Sequence, residues 1–184
     1  MAHYCPWWLG YALILPMRRW WQNPVRLLSP YLKHGMTVLE PGPGMGFFTL
    51  DLARLVGPTG RVAAADMQPR MLDNLKRRAA KAGVEGRIET RLVTPESFGL
   101  DDLAGKVDFV LAFYMVHEVP DKTGFFREMA RAVKPGGKLY FSEPRGHVKA
   151  DVFEAFVKLA EEAGFEVAER PVVRSSITAV LVRK

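Results

Sequence analysis

Along the chain, short unbroken apolar runs alternate with longer stretches in which apolar residues recur every three or four positions. Thr37–Leu39, Val62–Ala65, Val107–Phe113 and Lys138–Ser142 read as strands, Val62–Ala65 as a buried one, and Gly83 and Gly86 lead into a further strand at Arg87–Val93. Between them lie helical patterns. Phe48, Leu52, Leu55 and Val56 form one face, ended by Gly57-Pro58, and Leu72, Leu75, Ala79 and Ala82 form another in a helix opened by Pro69 and running through Lys81. Phe125, Met129 and Val133 mark a third helix, capped by Asp121. Lys134-Pro135-Gly136-Gly137 reads as a turn before the fifth strand. A fourth helix has Asp151 early in it, turns Val152, Phe156, Leu159 and Ala160 inward, and ends at Gly164. Two further strands, Phe165–Glu169 and Ile177–Val182, follow, joined by a loop through Pro171.

Strands alternating with helices predict an α/β fold, a parallel sheet covered on both faces. Only the last connection is short and helix-free, so the final strand is expected to run antiparallel.

Residues 1–34 break this rhythm. They hold all four tryptophans (Trp7, Trp8, Trp20, Trp21), three of the five tyrosines, and Pro6, Pro16, Pro24 and Pro30. Prolines this frequent cut a segment into short helices that begin at a proline and do not continue through one. The segment reads as an apolar arm packed on the domain formed by residues 35–184, or as a lid with Tyr4, Trp7 and Trp8 as walls. Trp20 and Trp21 beside Arg18 and Arg19 also suit a membrane interface.

The bulk properties narrow the class. The 184 residues suffice for one domain with its own core, and 48% hydrophobic with 25% charged residues is an ordinary globular composition. One cysteine, Cys5, is too few for a disulfide framework or a structural zinc site, and fits a reducing, cytoplasmic setting. The histidines His3, His34, His117 and His147 show no ligand spacing, so no metal is expected. No run reaches the ~20 apolar residues of a membrane span. Trp7–Leu15 is bracketed by prolines and lacks a preceding Lys or Arg, unlike a signal peptide. The formal charge of +6 suits an anionic partner or a solvated basic face.

The chemistry concentrates at Val38–Leu50, VLEPGPGMGFFTL. A strand delivers Glu40, a turn of alternating glycines follows at Gly42, Gly44 and Gly46, and a helical pattern begins. Glycine permits positive φ and close approach of the backbone to a ligand, so this arrangement is a nucleotide site. A dinucleotide fingerprint, G-x-G-x-x-G, needs glycine at position 47, which is Phe47. Glu40 would also oppose a pyrophosphate at this turn.

The segment Glu40-Pro41-Gly42-Pro43-Gly44-Met45-Gly46 instead resembles the first motif of the class I S-adenosylmethionine-dependent methyltransferases. The resemblance extends over roughly Gly35 to Lys184. It implies a Rossmann-like, mostly parallel seven-stranded sheet of order 3-2-1-4-5-7-6 with the last strand antiparallel and helices on both faces. The segments Ala112–Val119 and Val133–Lys138 are similar to the ubiquinone/menaquinone-biosynthesis group of that family.

The resemblance implies S-adenosyl-L-methionine as cofactor, with Glu40, Gly42, Pro43, Gly44 and Gly46 around its methionine end. Asp66 stands at the end of the second strand, where a carboxylate can accept hydrogen bonds from vicinal ribose hydroxyls. Met67 resembles the apolar residue beside adenine. After the third strand the family commonly has an aspartate for the adenine amino group. Thr94-Pro95-Glu96 stands here instead, so that contact falls to the Thr94 hydroxyl, the backbone or Glu96. Ala112, Phe113 and Tyr114 resemble the lining of the transferred methyl. His117, Glu118 and Tyr4 are candidate bases, with Glu143 and His147 as alternatives. A base is dispensable where the acceptor is already nucleophilic and alignment with water exclusion suffices.

A small-molecule acceptor is the expected substrate, its chemistry and the oligomeric state left open. Too few cysteines are present for arsenite methylation as similar-looking proteins perform it. A nucleic-acid methyltransferase is the first alternative, favoured by the basic balance and the Lys76–Lys81 cluster. Against it stands the lack of an Asn-Pro-Pro-aromatic or Asp-Pro-Pro-aromatic tetrapeptide after the fourth strand. A non-catalytic S-adenosylmethionine-binding module is the second.

Overall fold

Consecutive burial along single strands sets the architecture. In β1 (Thr37–Pro41) Val38, Leu39 and Glu40 are all buried, and in β2 (Arg61–Asp66) Val62 to Ala65 are. Neighbouring side chains on a strand point to opposite faces, so such runs require both faces to be covered. The computed structural model describes residues 16–20, 22–95 and 97–184. Its strands form one seven-stranded sheet in the order β3-β2-β1-β4-β5-β7-β6. This is the order that the family resemblance implies.

The described residues fall into two compact units, one ending at Val93 and the other running from Thr94 to Lys184. In the first, β2 pairs in parallel with β1 and with β3 (Ile88–Leu92). Helix α1 (Pro24–Leu28) has Pro24 in its first turn, and the Asn23 side chain caps it by accepting from the Arg26 N–H at 3.2 Å. Helices α2 (Thr49–Leu55) and α3 (Pro69–Lys81) follow β1 and β2. Leu72 and Leu75 of α3 pack with Ala64 in the core, and Ile88 lies against them. Arg19 and Arg54 both pair with the buried Asp51 of α2, at 2.7 and 3.0 Å, which holds the 3-10 turn at Pro16–Trp20 to that helix.

In the second unit, β4 (Val107–Phe113) pairs in parallel with β5 (Val133–Pro144). Strand β7 (Ser176–Arg183) runs antiparallel to β5 and to β6 (Phe165–Glu169). Helix α4 (Lys122–Ala132) starts at Asp121, whose side chain accepts from the Gly124 N–H at 2.9 Å. Helix α5 (Ala150–Glu162) buries Phe153, Phe156, Val157 and Ala160. Phe141 of β5 stacks on Phe153 with centroids 4.6 Å apart, and neither ring is solvent-exposed.

Three local readings need correction. Val152 does not face the core: it is 40% exposed, and Phe153 and Val157 take the inward positions on either side of Phe156. Ala82 caps α3 and is half-buried rather than inward. Lys134–Gly137 does not separate α4 from β5 but lies inside β5, as a bulge between the Val107↔Val133 and Phe109↔Lys138 pairs. Pro135 has no N–H for the ladder and Gly136 has φ +77°, so the extra residues loop out while pairing resumes. Among the described residues, no helix is long and apolar enough to cross a membrane.

The Phe141–Phe153 stack is the central contact between α5 and the sheet in this unit. Phe153→Ala is expected to lower the unfolding free energy by about 3–5 kcal/mol, measured by urea denaturation. A loss under ~1 kcal/mol would show that the stack does not organise this core.

Candidate functional site

The first unit gathers its polar groups at the carboxyl ends of β1 and β2, where open parallel sheets bind ligands. Gly42, Gly44 and Gly46 all have positive φ, at +67°, +55° and +81°. The turn is fixed by backbone bonds, Gly42 N–H to the Ala65 carbonyl at 2.8 Å and Gly46 N–H to the Pro43 carbonyl at 3.0 Å. A Cβ at Gly46 would collide with the Leu75 side chain of α3, so this glycine lets helix and turn approach. Around Gly44 the situation is opposite: among the described residues nothing lies within 4 Å of where a Cβ would stand. The Arg78 guanidinium donates to the Met45 carbonyl and ties the turn to α3. Pro43 is buried within the same turn.

Asp66 ends β2, and its carboxylate is locked from both sides. Oδ2 accepts from the Gly44 N–H at 3.1 Å and Oδ1 from the Gln68 N–H at 2.9 Å. The Met67 N–H is a further backbone donor to the same carboxylate. Burial raises the Asp66 pKa above its ordinary value, against the lowering effect of these backbone bonds. Met67 follows, half-buried.

Glu40 is only 4% exposed, and its Oε2 is buried without a hydrogen-bond partner. Burial pushes its pKa up to about 8; the Thr49 hydroxyl opposes the rise and the Asp66 charge adds to it. The group therefore holds a proton at neutral pH, and a cation brought beside it would favour releasing that proton.

In the second unit a separate set collects after β4 and β5. Ala112 is fully buried, and Phe113 lies face-tilted to Tyr114 with centroids 4.4 Å apart. Tyr114 has φ +62°, a conformation uncommon for a bulky residue, and it is held there by two bonds. Its N–H donates to the Ser142 carbonyl at 2.8 Å, and its hydroxyl shares a 2.5 Å bond with Ser176 Oγ. His117 lies in the 3-10 turn Val116–Glu118. Its backbone N–H donates to Glu143 Oε1 at 3.1 Å, and its Nδ1 is 2.6 Å from Glu143 Oε2. Glu118 is 3.8 Å from Nε2, and the exposed His147 ring packs edge-on at 4.7 Å. Burial alone would lower the His117 pKa. The hydrogen bond and charge of Glu143, helped by Glu118 and opposed by Lys122, reverse that and leave it raised.

Thr94 and Pro95 are exposed, with the Thr94 N–H bonded to the Ser97 carbonyl at 3.2 Å. Tyr4, Trp7, Trp8, Trp21 and Glu96 lie outside the described residues. Sequence reasoning set Glu143 and His117 side by side as alternative bases; the structure couples them. The signal was there, since Glu143 sits at the end of a parallel strand as Asp66 does. The positive φ of Tyr114 left no trace in the sequence.

A family model described as a methyltransferase domain matches residues 32–173. The ubiquinone/menaquinone biosynthesis C-methyltransferase UbiE of Pseudomonas putida is 32% identical over 143 residues, covering 76% of this chain and 55% of that protein. UbiE of an Enterobacter species is 31% identical over 128 residues, covering 68% and 50%. The chain thus spans about half the length of these curated relatives. Among solved structures, a SAM-dependent methyltransferase from Aquifex aeolicus superposes with a TM-score of 0.84 at 25% identity, covering 97% of this chain and all of that one.

The residues of the first unit fit S-adenosylmethionine: a buried carboxyl at Glu40 whose Oε2 has no hydrogen-bond partner among the described residues, for a cationic amino group, a glycine turn with no described residue within 4 Å of a Cβ at Gly44, and the anchored Asp66 carboxylate. The raised Glu40 pKa has a measurable consequence without any ligand. Between its ordinary value near 4.5 and about 8 the folded state binds a proton that the unfolded state releases. Glu40 therefore contributes stability below pH 4.5 that is lost as pH rises toward 8. Unfolding free energies of the wild type and Glu40→Gln across pH 5–8 are expected to diverge, the wild type losing stability relative to the variant. Parallel curves would contradict a protonated Glu40.

Proposed function

The chain belongs to the class I S-adenosylmethionine-dependent methyltransferases, and on that premise we propose that it transfers a methyl group to a small-molecule acceptor by in-line displacement. The observation that carries the reading is the Asp66 carboxylate, held at the end of β2 by backbone N–H groups of Gly44, Met67 and Gln68. That geometry suits the vicinal hydroxyls of one ribose. Glu40 takes the amino end of the cofactor, Gly42, Pro43, Gly44 and Gly46 the backbone approach, and Met67 the adenine side. Thr94, Pro95, Glu96, Ala112, Phe113 and Tyr114 are the proposed contributors from the rest of the chain. When bound, S-adenosylmethionine supplies an electrophilic methyl group on a sulfonium centre.

The protein's own task is to align the acceptor, exclude water and receive any proton the acceptor gives up. His117 is the proposed proton-holding group. Its raised pKa leaves a larger protonated fraction at neutral pH than an isolated imidazole has, and Glu118 near Nε2 favours the cation. Tyr4 remains a proposed contributor from residues 1–34, which we read as an arm packed on the domain of residues 35–184 or as a lid. The acceptor is proposed as a small molecule because the UbiE relatives are named for small-molecule biosynthesis.

Calorimetric titration with S-adenosylhomocysteine tests the cofactor site. Asp66→Ala is expected to weaken binding at least about tenfold, the scale of one lost charge-assisted hydrogen-bond acceptor. Unchanged affinity in the variant, or no binding to the folded wild type, would overturn the assignment.

A further inference from the structure

Glu143 is completely buried, and both of its oxygens are engaged by one residue. Oε1 accepts the backbone N–H of His117 at 3.1 Å, while Oε2 lies 2.6 Å from Nδ1 of the same histidine. An ionised Glu143 has acceptors only, and with it the 2.6 Å contact carries its proton on Nδ1. The backbone bond fixes the Val116–Glu118 turn to the end of β5, and the side-chain bond fixes the ring within it. Neutral His117 then carries its lone pair on Nε2, away from Glu143.

We propose that Glu143 is a positioning residue that sets His117 in the Nδ1–H tautomer, so that Nε2 is the atom that takes the acceptor's proton. This rests on the methyl-transfer reading above. The acceptor's bond to hydrogen breaks with its electron pair remaining on the acceptor atom, the proton passes to Nε2, and the resulting imidazolium is stabilised by Glu143 at Nδ1 and Glu118 near Nε2. Such a device serves acceptors that shed a proton as they gain a methyl, carbon or hydroxyl acids in particular. The charged and titratable groups facing His117 are Glu143 from β5, Glu118 from its own turn, Lys122 from α4 and His147 from the loop after β5. Glu143 is the only one of these that meets the ring at hydrogen-bond distance among the described residues.

Nitrogen-resolved NMR of the histidine side chains reads this without substrate or cofactor. Wild-type His117 is expected to be the Nδ1–H tautomer when neutral, with a pKa above that of an exposed histidine. Glu143→Gln removes the charge at nearly constant shape and is expected to cut the proton affinity of His117 about tenfold, while S-adenosylhomocysteine binding is retained. An Nε2–H tautomer in the wild type would overturn the proposal with no variant needed. So would an unchanged His117 pKa in folded Glu143→Gln. Loss of cofactor binding in the wild type would instead refute the methyltransferase reading and leave the tautomer result standing on its own.

Discussion

The two hydrogen bonds that Asp66 receives from the Gly44 and Gln68 N–H groups set the shape on which the first unit's chemistry depends. They bind the tip of the glycine turn to the strand beside it and fix the entry to α3 in the same step. The positive φ values of Gly42, Gly44 and Gly46 are sustained by this frame together with the Gly42–Ala65 and Gly46–Pro43 backbone bonds. Leu75 closes the turn from below, where Gly46 leaves it room. The result is a glycine turn fixed beside the Asp66 carboxylate, with no described residue within 4 Å of a Cβ at Gly44. Pre-organisation of this kind spares binding the entropy of ordering a loop.

Three acidic residues stand near strand ends, Glu40 and Asp66 in the first unit and Glu143 in the second, and their hydrogen bonding differs. Glu40 on β1 is buried with one oxygen unpartnered, and keeps a proton until a cation displaces it. Asp66 on β2 is held by backbone N–H groups on both oxygens. Glu143 on β5 gives both oxygens to His117. The parallel sheet supplies one kind of position, and the local donors decide whether the carboxyl there binds, orients or waits.

The strands and helices were legible because their burial follows directly from hydrophobic periodicity, as in Val62–Ala65 and the Leu72, Leu75, Ala79 stripe. The glycine spacing with Glu40 and Asp66 was legible because φ and charge restrict which residues such a turn accepts. Other features rest on contacts distant in sequence. Val152 and Phe153 are both apolar, and only the ring of Phe141 decides which turns inward. Pro135-Gly136-Gly137 has turn chemistry, yet β4 resumes pairing at Lys138 and makes it a bulge. The coupling of His117 to Glu143 spans 26 residues, and no local pattern encodes a bond between a turn and a distant strand end.

The account's central claim is that the turn frame held by Asp66 is the cofactor cradle. Amide-resolved NMR during titration with S-adenosylhomocysteine tests it most directly. The account predicts saturable shifts concentrated at the Gly42, Gly44, Gly46, Met67 and Gln68 amides. Saturable binding that leaves these amides unmoved would contradict it and place the cofactor elsewhere on the fold.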